Sequence, residues 1–515
     1  MIHLLRTSAM LAVMTLASAA GFCQHGTTKM VPNIVLIMSD DHTTQAISAY
    51  DKRLMPTPHI DRIGTEGARL SNYFCTNALC APSRAVILTG KYSHINGMRT
   101  NRKGEVFDGS QQTFPKLLQQ HGYQTAIIGK WHLVSEPTGF DHWEILPGQG
   151  AYYNPDFINS DGTHREKGYV TNLITDKAVA WMKEETANQR PFMLMVHHKA
   201  PHGTWLPDLK YLDHLEDVEF PFPDNFFDSY ATRGRAAKEQ EMEIATYLKF
   251  GRQTKFEYDP YTGEPTDFKR LIDRMEPDQL KAWRAVYTPL NEAAAKNQPT
   301  GKALAKFKFQ RYIKDYLKCI KSIDDGVGEI LNYLDTAGLS EETIVIYTSD
   351  QGFFLGEHGW YDKRFMYEEA LRTPMLIRYP PEIAKETIMD EITMNLDLAP
   401  TLLDFAGASV PADLQGRSMR NLLAGKKEKD WRDAMYYHFY EYPGPQMVKK
   451  HYGIRTDRYK LIHFYDDIDE WELYDLDLDP QEMNNVYNNP SQSETQRQLH
   501  TKLKQIRTKY HDTSL

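Results

Sequence analysis

The sequence predicts an α/β fold built on a large mixed, mostly parallel sheet with helices on both faces. Three observations carry that expectation. Short β-branched apolar runs alternate with amphipathic helical stretches, and each run ends in charged or metal-loving residues. The 515-residue chain, 41% apolar and 25% charged, also has the composition of a globular protein able to bury its own core.

The first run, residues 33–38 (NIVLIM), is apolar almost throughout, as a parallel strand buried on both faces must be, and it stops at Ser39-Asp40-Asp41. The same grammar recurs at 123–128 before Gly129-Lys130-Trp131-His132, at 192–196 before His197-His198, and at 343–347 before Thr348-Ser349-Asp350-Gln351-Gly352. Between these runs, residues 114–120, 172–183 and 304–334 return an apolar side chain every third or fourth position, the spacing of a helix with one buried stripe. In such sheets ligands collect beyond the carboxyl ends of the strands, so the polar clusters are expected to converge on one site.

Residues 203–301 turn charged, aromatic and proline-punctuated, with a helix expected around 236–250 and no strong strand, and read as an insertion beside the site. From 426 to 515 the chain alternates aromatic segments (435–440, 451–464, 470–476) and then a polar helix at 493–510, which predicts a small antiparallel sheet with a closing helix.

At the start, residues 1–22 read as an export signal: Arg6, an apolar run over 10–16, then Ala17-Ser18-Ala19-Ala20. A periplasmic or secreted protein follows. Lipid anchoring at Cys23 is the alternative, disfavoured by the bulk of Phe22. No later apolar run approaches the roughly 20 residues that span a bilayer, so no integral membrane segment is expected once the signal is removed. With 60 basic against 69 acidic residues the formal charge is −9, which argues against nucleic acid as a partner. Four cysteines (Cys23, Cys75, Cys80, Cys319) cannot build a disulfide scaffold; Cys75 and Cys319 either pair or serve as small buried apolar groups.

Asp40, Asp41, Asp350 and Gln351 offer hard oxygen donors from two strand ends, a set suited to Ca²⁺, and no compact cysteine–histidine cluster points to zinc. Alone, Asp40-Asp41 would read as a helix cap or a solvated loop. Cys80-Ala81-Pro82-Ser83-Arg84 alone would read as a buried cysteine ahead of a helix. Followed by Ala85-Val86-Ile87-Leu88-Thr89-Gly90, however, that string resembles the signature of the type I, formylglycine-dependent sulfatases, and residues 122–132 (GYQTAIIGKWH) resemble the family's second signature. The resemblance runs from Asn33 to about Asn485.

It implies an alkaline-phosphatase-like sandwich, with a catalytic domain over 31–425. It also implies that Cys80 is oxidised to formylglycine by a formylglycine-generating or anaerobic sulfatase-maturating enzyme. Cys80 would then be both nucleophile and metal-side ligand beside Asp40, Asp41, Asp350 and Gln351 around Ca²⁺. Many relatives carry Asn where this chain has Gln351. Arg84, Lys130 and Lys363 would hold the sulfate and the hydrated aldehyde. One hydroxyl of that diol attacks sulfur while His202 protonates the departing sugar oxygen, and His132 then takes the proton that lets the sulfo-enzyme intermediate expel sulfate. His197, His198 and His358 read as structural histidines, and Gln149 receives no role.

Finer features at 197–206 (HHKAPHGTWL), 233–242 and 349–359 resemble bacterial N-acetylglucosamine-6-O-sulfatases, which implies a sulfated glycan substrate, in glycosaminoglycans or mucin O-glycans. Asp362, Arg364 and His451 are the candidate sugar-binding residues. The alternatives are a sulfatase acting on galactose or N-acetylgalactosamine 6-sulfate, or a phosphonate or phosphodiester hydrolase of the same superfamily.

Overall fold

Asn33–Ser39 runs through the middle of a ten-stranded sheet, with Thr343–Ser349 on one side and Phe192–His197 on the other, both parallel to it. The computed structural model describes residues 31–188 and 190–513, so the export segment and Cys23 lie outside it. Gln124–Lys130 and His142–Leu146 extend the parallel block beyond Phe192–His197. Both margins turn mixed. Met375–Arg378 pairs antiparallel with Thr343–Ser349 and leads to Ala68–Leu70 and Thr387–Met389, while Asp156–Asn159 and Gly162–Arg165 close the other edge as an antiparallel hairpin.

The central strands are buried on both faces because helices cover both. Val35 and Ile37 face a core that includes the 36-residue Gly301–Thr336 helix and the Val170–Thr186 helix, whereas Ile34 and Leu36 face the Cys80–Thr89, Phe114–Gln120 and Leu398–Ala406 helices. Each such aliphatic side chain contributes about 1.5–3 kcal/mol by leaving water. Alternate residues therefore serve opposite cores, which is why the runs are mostly apolar until they end.

Register places those ends together. Ser39 lies opposite Ser349, and Met38 and Gly129 lie opposite His197, so Asp40, Asp350, Lys130 and His198 emerge at one edge. Gly129 is the residue that this approach requires. Its φ is +107°, and a Cβ there would stand 2.0 Å from the His197 carbonyl oxygen.

The four expected central strands and three expected helices all form. The insertion departs from its expectation: the helix expected around 236–250 is two short pieces, Arg235–Glu239 and Ile244–Tyr247. Between them the Gln240 side chain accepts from the Met242 N–H and Glu243 bridges to Trp360, which pulls the backbone extended. The principal helix of the insertion is Pro277–Asn297, started by Pro277 and a Glu276–Gln279 capping box.

At the C-terminal end Ala434–Phe439, His451–Thr456, Tyr459–Phe464 and Glu470–Asp475 form an antiparallel four-stranded sheet, closed by Ser493–Lys509. The expected 451–464 segment is thus two strands of one hairpin. This sheet shares an apolar cluster with Leu79 and Val86 beside Cys80, and with Phe365 and Tyr367 beyond Lys363. Cys75 and Cys319 are buried free thiols, not a disulfide. No helix among the described residues is long and apolar enough to cross a membrane.

Candidate active site

Cys80 is the first residue of a ten-residue helix in which every position is buried, and its N-terminus points into the cluster at the strand ends. The helix ends at Gly90, whose φ of +63° lets its N–H close on the Val86 carbonyl. A buried helix N-terminus favours negative charge beside it. Cys80 Sγ lies 3.3 Å from Asp40 Oδ1 and 3.8 Å from Gln351 Nε2. Burial pushes its thiol pKa up to about 12, so the unmodified sulfur is a poor nucleophile at neutral pH.

Three buried carboxylates surround that sulfur. Asp40, Asp41 and Asp350 each present an oxygen within 4.8 Å of the others'. Burial raises the Asp41 carboxyl to about 6, with Lys363 opposing the shift and Asp350 adding to it. Three cations answer the three acids. Lys130 Nζ donates to Asp40, Lys363 Nζ lies 2.5 and 2.7 Å from the two Asp41 oxygens, and Arg84 Nε donates to Asp350 Oδ2 at 3.0 Å. Arg84 also donates to the Lys130 carbonyl at 2.6 Å, so its guanidinium fastens one strand end to another.

The donor set fits a hard divalent cation. Besides the carboxylates, Gln351 Oε1 is a buried acceptor with no hydrogen-bond partner, while its Nε2 donates to Asp41. Gln351 meets the carboxylates through its Nε2, and its unpartnered oxygen adds a hard donor on the same side chain that an oxygen-seeking cation would satisfy. A second histidine–acid group, Glu144, His164 and Glu166, is already neutralised by Lys177, whose Nζ lies 2.8 Å from Glu144 Oε1.

Both predicted catalytic histidines reach the site. His202 Nδ1 donates to the Gly203 carbonyl at 2.8 Å, leaving Nε2 as a free lone pair 3.8 Å from Asp41 Oδ2. A His202 ring nitrogen also comes within 4.8 Å of Cys80 Sγ and an Asp40 oxygen. Burial, then Lys130, Lys363 and Lys199, hold the His202 pKa well below the usual imidazole range. His132 is pushed down to about 2 by burial and by Lys130, and its Nε2 accepts from Gln149 Nε2 at 3.2 Å. Gln149 Oε1 in turn accepts from Lys130 Nζ. Gln149 therefore ties the two residues of the second signature together, a role that only the chain's three-dimensional course reveals. Lys199 is a further cation that sequence reasoning left without a role: it is buried, sits over the Tyr152 ring at 4.8 Å, and is lowered to about 8 by burial.

The cluster opens into a cavity of about 180 Å³ lined by Asp41, His202, Trp205, Asp362 and Lys363, with Arg252 and Gln446 on its walls. Lys363 is carried there by the Phe354–Leu355 and Tyr361–Asp362 hairpin. Asp41, His132, Trp205, Asp362 and Arg364 all have positive φ, a concentration of strained backbone at one place. Asp41 is held in that state by Tyr316, which donates to its carbonyl at 2.6 Å, and by Asp350 Oδ1, which accepts from its N–H at 3.2 Å.

The sugar-binding expectations divide. Asp362 lines the cavity; Arg364 stands behind it, buried, donating to Asp362 Oδ1 at 2.6 Å. His451 is not a sugar ligand. It is fully buried, its Nε2 accepts from the Met366 N–H at 3.0 Å, its Nδ1 donates to the Lys449 carbonyl at 2.8 Å, and Phe365, Tyr437, Phe439 and Phe464 surround the ring. The C-terminal sheet serves the site through Tyr437, whose hydroxyl accepts from the Ala78 N–H at 3.1 Å and donates to the Arg364 carbonyl at 2.6 Å. His197 and His358 are structural, held by the Lys130 carbonyl and by Asp228.

Residues 32–408 match the sulfatase family model, and residues 356–509 match the model of the N-sulphoglucosamine sulphohydrolase C-terminal region. An N-acetylglucosamine-6-O-sulfatase of Bacteroides thetaiotaomicron is 49% identical over 510 residues, covering 98% of this chain and 90% of that one. Human steryl-sulfatase is 26% identical over 445 residues, covering 79% and 72%. A structure solved in complex with its substrate D-glucosamine-2-N,6-O-disulfate superposes with a TM-score of 0.90 at 48% identity, covering 94% of this chain and 98% of that one. A family model over most of the chain and a relative 49% identical along nearly all of it agree: the chain belongs to the sulfatase family and is a sulfuric ester hydrolase.

Proposed function

We propose that this chain removes the 6-O-sulfate from N-acetylglucosamine or N-sulfated glucosamine in glycosaminoglycan or mucin glycans. Its likeness to an N-acetylglucosamine-6-O-sulfatase over 98% of its length is the observation that carries the reading. In keeping with the family's general use of metal and formylglycine, Asp40, Asp41, Asp350 and Gln351 would hold Ca²⁺, and residue 80 would act as the aldehyde derived from cysteine. Together these groups supply a nucleophilic oxygen and a positive centre for the sulfate oxygens.

The net reaction adds water across the ester: the S–O bond to the sugar breaks, the sugar leaves as an alcohol, and sulfate carries the water's oxygen. Lys363, buried but with its charged form favoured by Asp41, would supply positive charge where the three sulfate oxygens gather negative charge, with Lys130 as a further donor beside Asp40. His202, neutral in the free protein, gains proton affinity when the anionic ester enters, and its Nε2 hands that proton to the leaving oxygen. His132, held neutral by burial and its neighbouring cations, would take the second proton at Nε2 in place of the hydrogen bond by which Gln149 holds the ring. Export, and maturation by a formylglycine-forming enzyme, complete the proposal.

Turnover of 6-sulfated N-acetylglucosamine, galactose and N-acetylgalactosamine, with and without a calcium chelator, tests it. The first sugar should react at least about tenfold faster, and chelation should stop the reaction; equal or reversed rates remove the sugar assignment. A mass measurement on the peptide carrying residue 80 should show sulfur replaced by oxygen, and an intact thiol in active protein would remove the chemistry.

A further inference from the structure

One wall of the substrate cavity belongs to the insertion, and it presents Arg252. The loop beneath that residue is unusually well fixed. Lys255, fully buried, directs its Nζ at the carbonyl oxygens of Gln253 (3.0 Å) and Arg252 (3.4 Å), and lies 3.3 Å from Asp315 Oδ2 on the Gly301–Thr336 helix. Its N–H donates to the Gly251 carbonyl at 3.1 Å, and the Lys249 N–H donates to Gln253 Oε1 at 3.0 Å. The side chain of Arg252 is spent less: it remains 55% exposed, and its ion pair with Asp267 is 3.8 Å long, beyond hydrogen-bonding distance.

A well-fastened loop that carries a loosely paired guanidinium at the wall of a cavity of about 180 Å³ offers a site for an anion. Lys130 and Lys363, the cations at the floor, are already committed to carboxylates around the scissile group. We propose that Arg252 forms a second anion subsite, which recognises a sulfate or carboxylate borne by the same sugar or by the residue linked to it, and so favours highly charged glycans over neutral ones. The subsite rests on the 6-O-sulfatase reading only for the identity of the sugar.

Wild type, Arg252→Gln and Arg252→Lys are compared on three substrates: N-acetylglucosamine 6-sulfate, glucosamine N,6-disulfate, and 6-sulfated N-acetylglucosamine linked to a hexuronate. Arg252→Gln should leave the first within about twofold and raise KM about tenfold for at least one of the other two, with kcat unchanged, as loss of one charge-assisted contact implies. Arg252→Lys should recover part of that loss, and the responding substrate tells N-sulfate from carboxylate. Equal change on all three, or on none, overturns the subsite. The same comparison of Kd values in a Cys80→Ala background needs no turnover. Selective weakening there supports the subsite even if 6-O-sulfate proves not to be the bond cleaved, and identical Kd values overturn it.

Discussion

Lys363 Nζ contacts both oxygens of the Asp41 carboxylate, at 2.5 and 2.7 Å, in a buried site where Asp350 and Asp40 stand alongside. The lysine thus pairs with a buried acid and lines the cavity, where on the proposed function it would meet the sulfate. Lys363→Ala should lower kcat/KM on a 6-sulfated sugar by roughly 10²–10³, the size of effect seen when one oriented donor to a developing anion is removed. Added calcium should not restore it, because the missing charge serves the ester as well as the acid. Recovery on raising calcium would show that Lys363 only balances Asp41.

Gln351 Oε1 is a buried acceptor without a partner, and on the proposed reading it would join the calcium ligands. Gln351→Ala should weaken calcium binding on the order of 10- to 100-fold, while Gln351→Asn, which keeps the oxygen on a shorter arm, should fall between. Titration of chelator-treated protein with calcium, followed by thermal stability as well as activity, reads this directly. An unchanged calcium affinity in Gln351→Ala would remove the residue from the ligand set.

Gln149 bridges Lys130 and His132 and touches no substrate atom by necessity. Gln149→Ala should reduce kcat by about tenfold with KM nearly constant, since an unfastened His132 spends less time oriented to take its proton. A change confined to KM would reassign Gln149 to substrate contact.

His451 tests the corrected view of the C-terminal sheet. Burial pushes its pKa down to about 3, below the 6.5 of an exposed histidine, so between those values the unfolded chain binds a proton that the folded chain refuses. Its contribution to stability is therefore complete above pH 6.5 and drains away as pH falls towards 3, at about 1.4 kcal/mol per pH unit. Urea unfolding at pH 7 and pH 5 should show His451→Gln losing roughly that much less per unit than wild type. Equal slopes would mean that His451 is not a buried neutral group. Activity per folded molecule at pH 7 should be nearly unchanged, as expected of a residue outside the cavity.

The central strands were legible because burial on both faces forces an unbroken apolar run, and the site was legible because each run had to end where water or ligand begins. Cys80, Lys130 and His132 lie inside long contiguous strings, so their neighbours identified them. The marginal strands Ala68–Leu70 and Asp156–Asn159 have three and four residues and draw their stability from pairing, which leaves little trace in local composition. Pro277–Asn297 escaped notice because few of its residues are buried and because Pro289 in its interior reads locally as a helix breaker. Gln149 and His451 failed in opposite directions for one reason: both roles depend on partners distant in sequence. Gln149 meets His132 through the course of a loop, and His451 is enclosed by rings from three segments.

Cys80 has no solvent-accessible surface, since the helix that begins with it is sealed beneath the strand ends and the C-terminal sheet. Timing follows from that enclosure. On the proposed conversion of this cysteine, the maturing enzyme would have to reach the sulfur while the polypeptide is still open, before the neighbouring segments close over it.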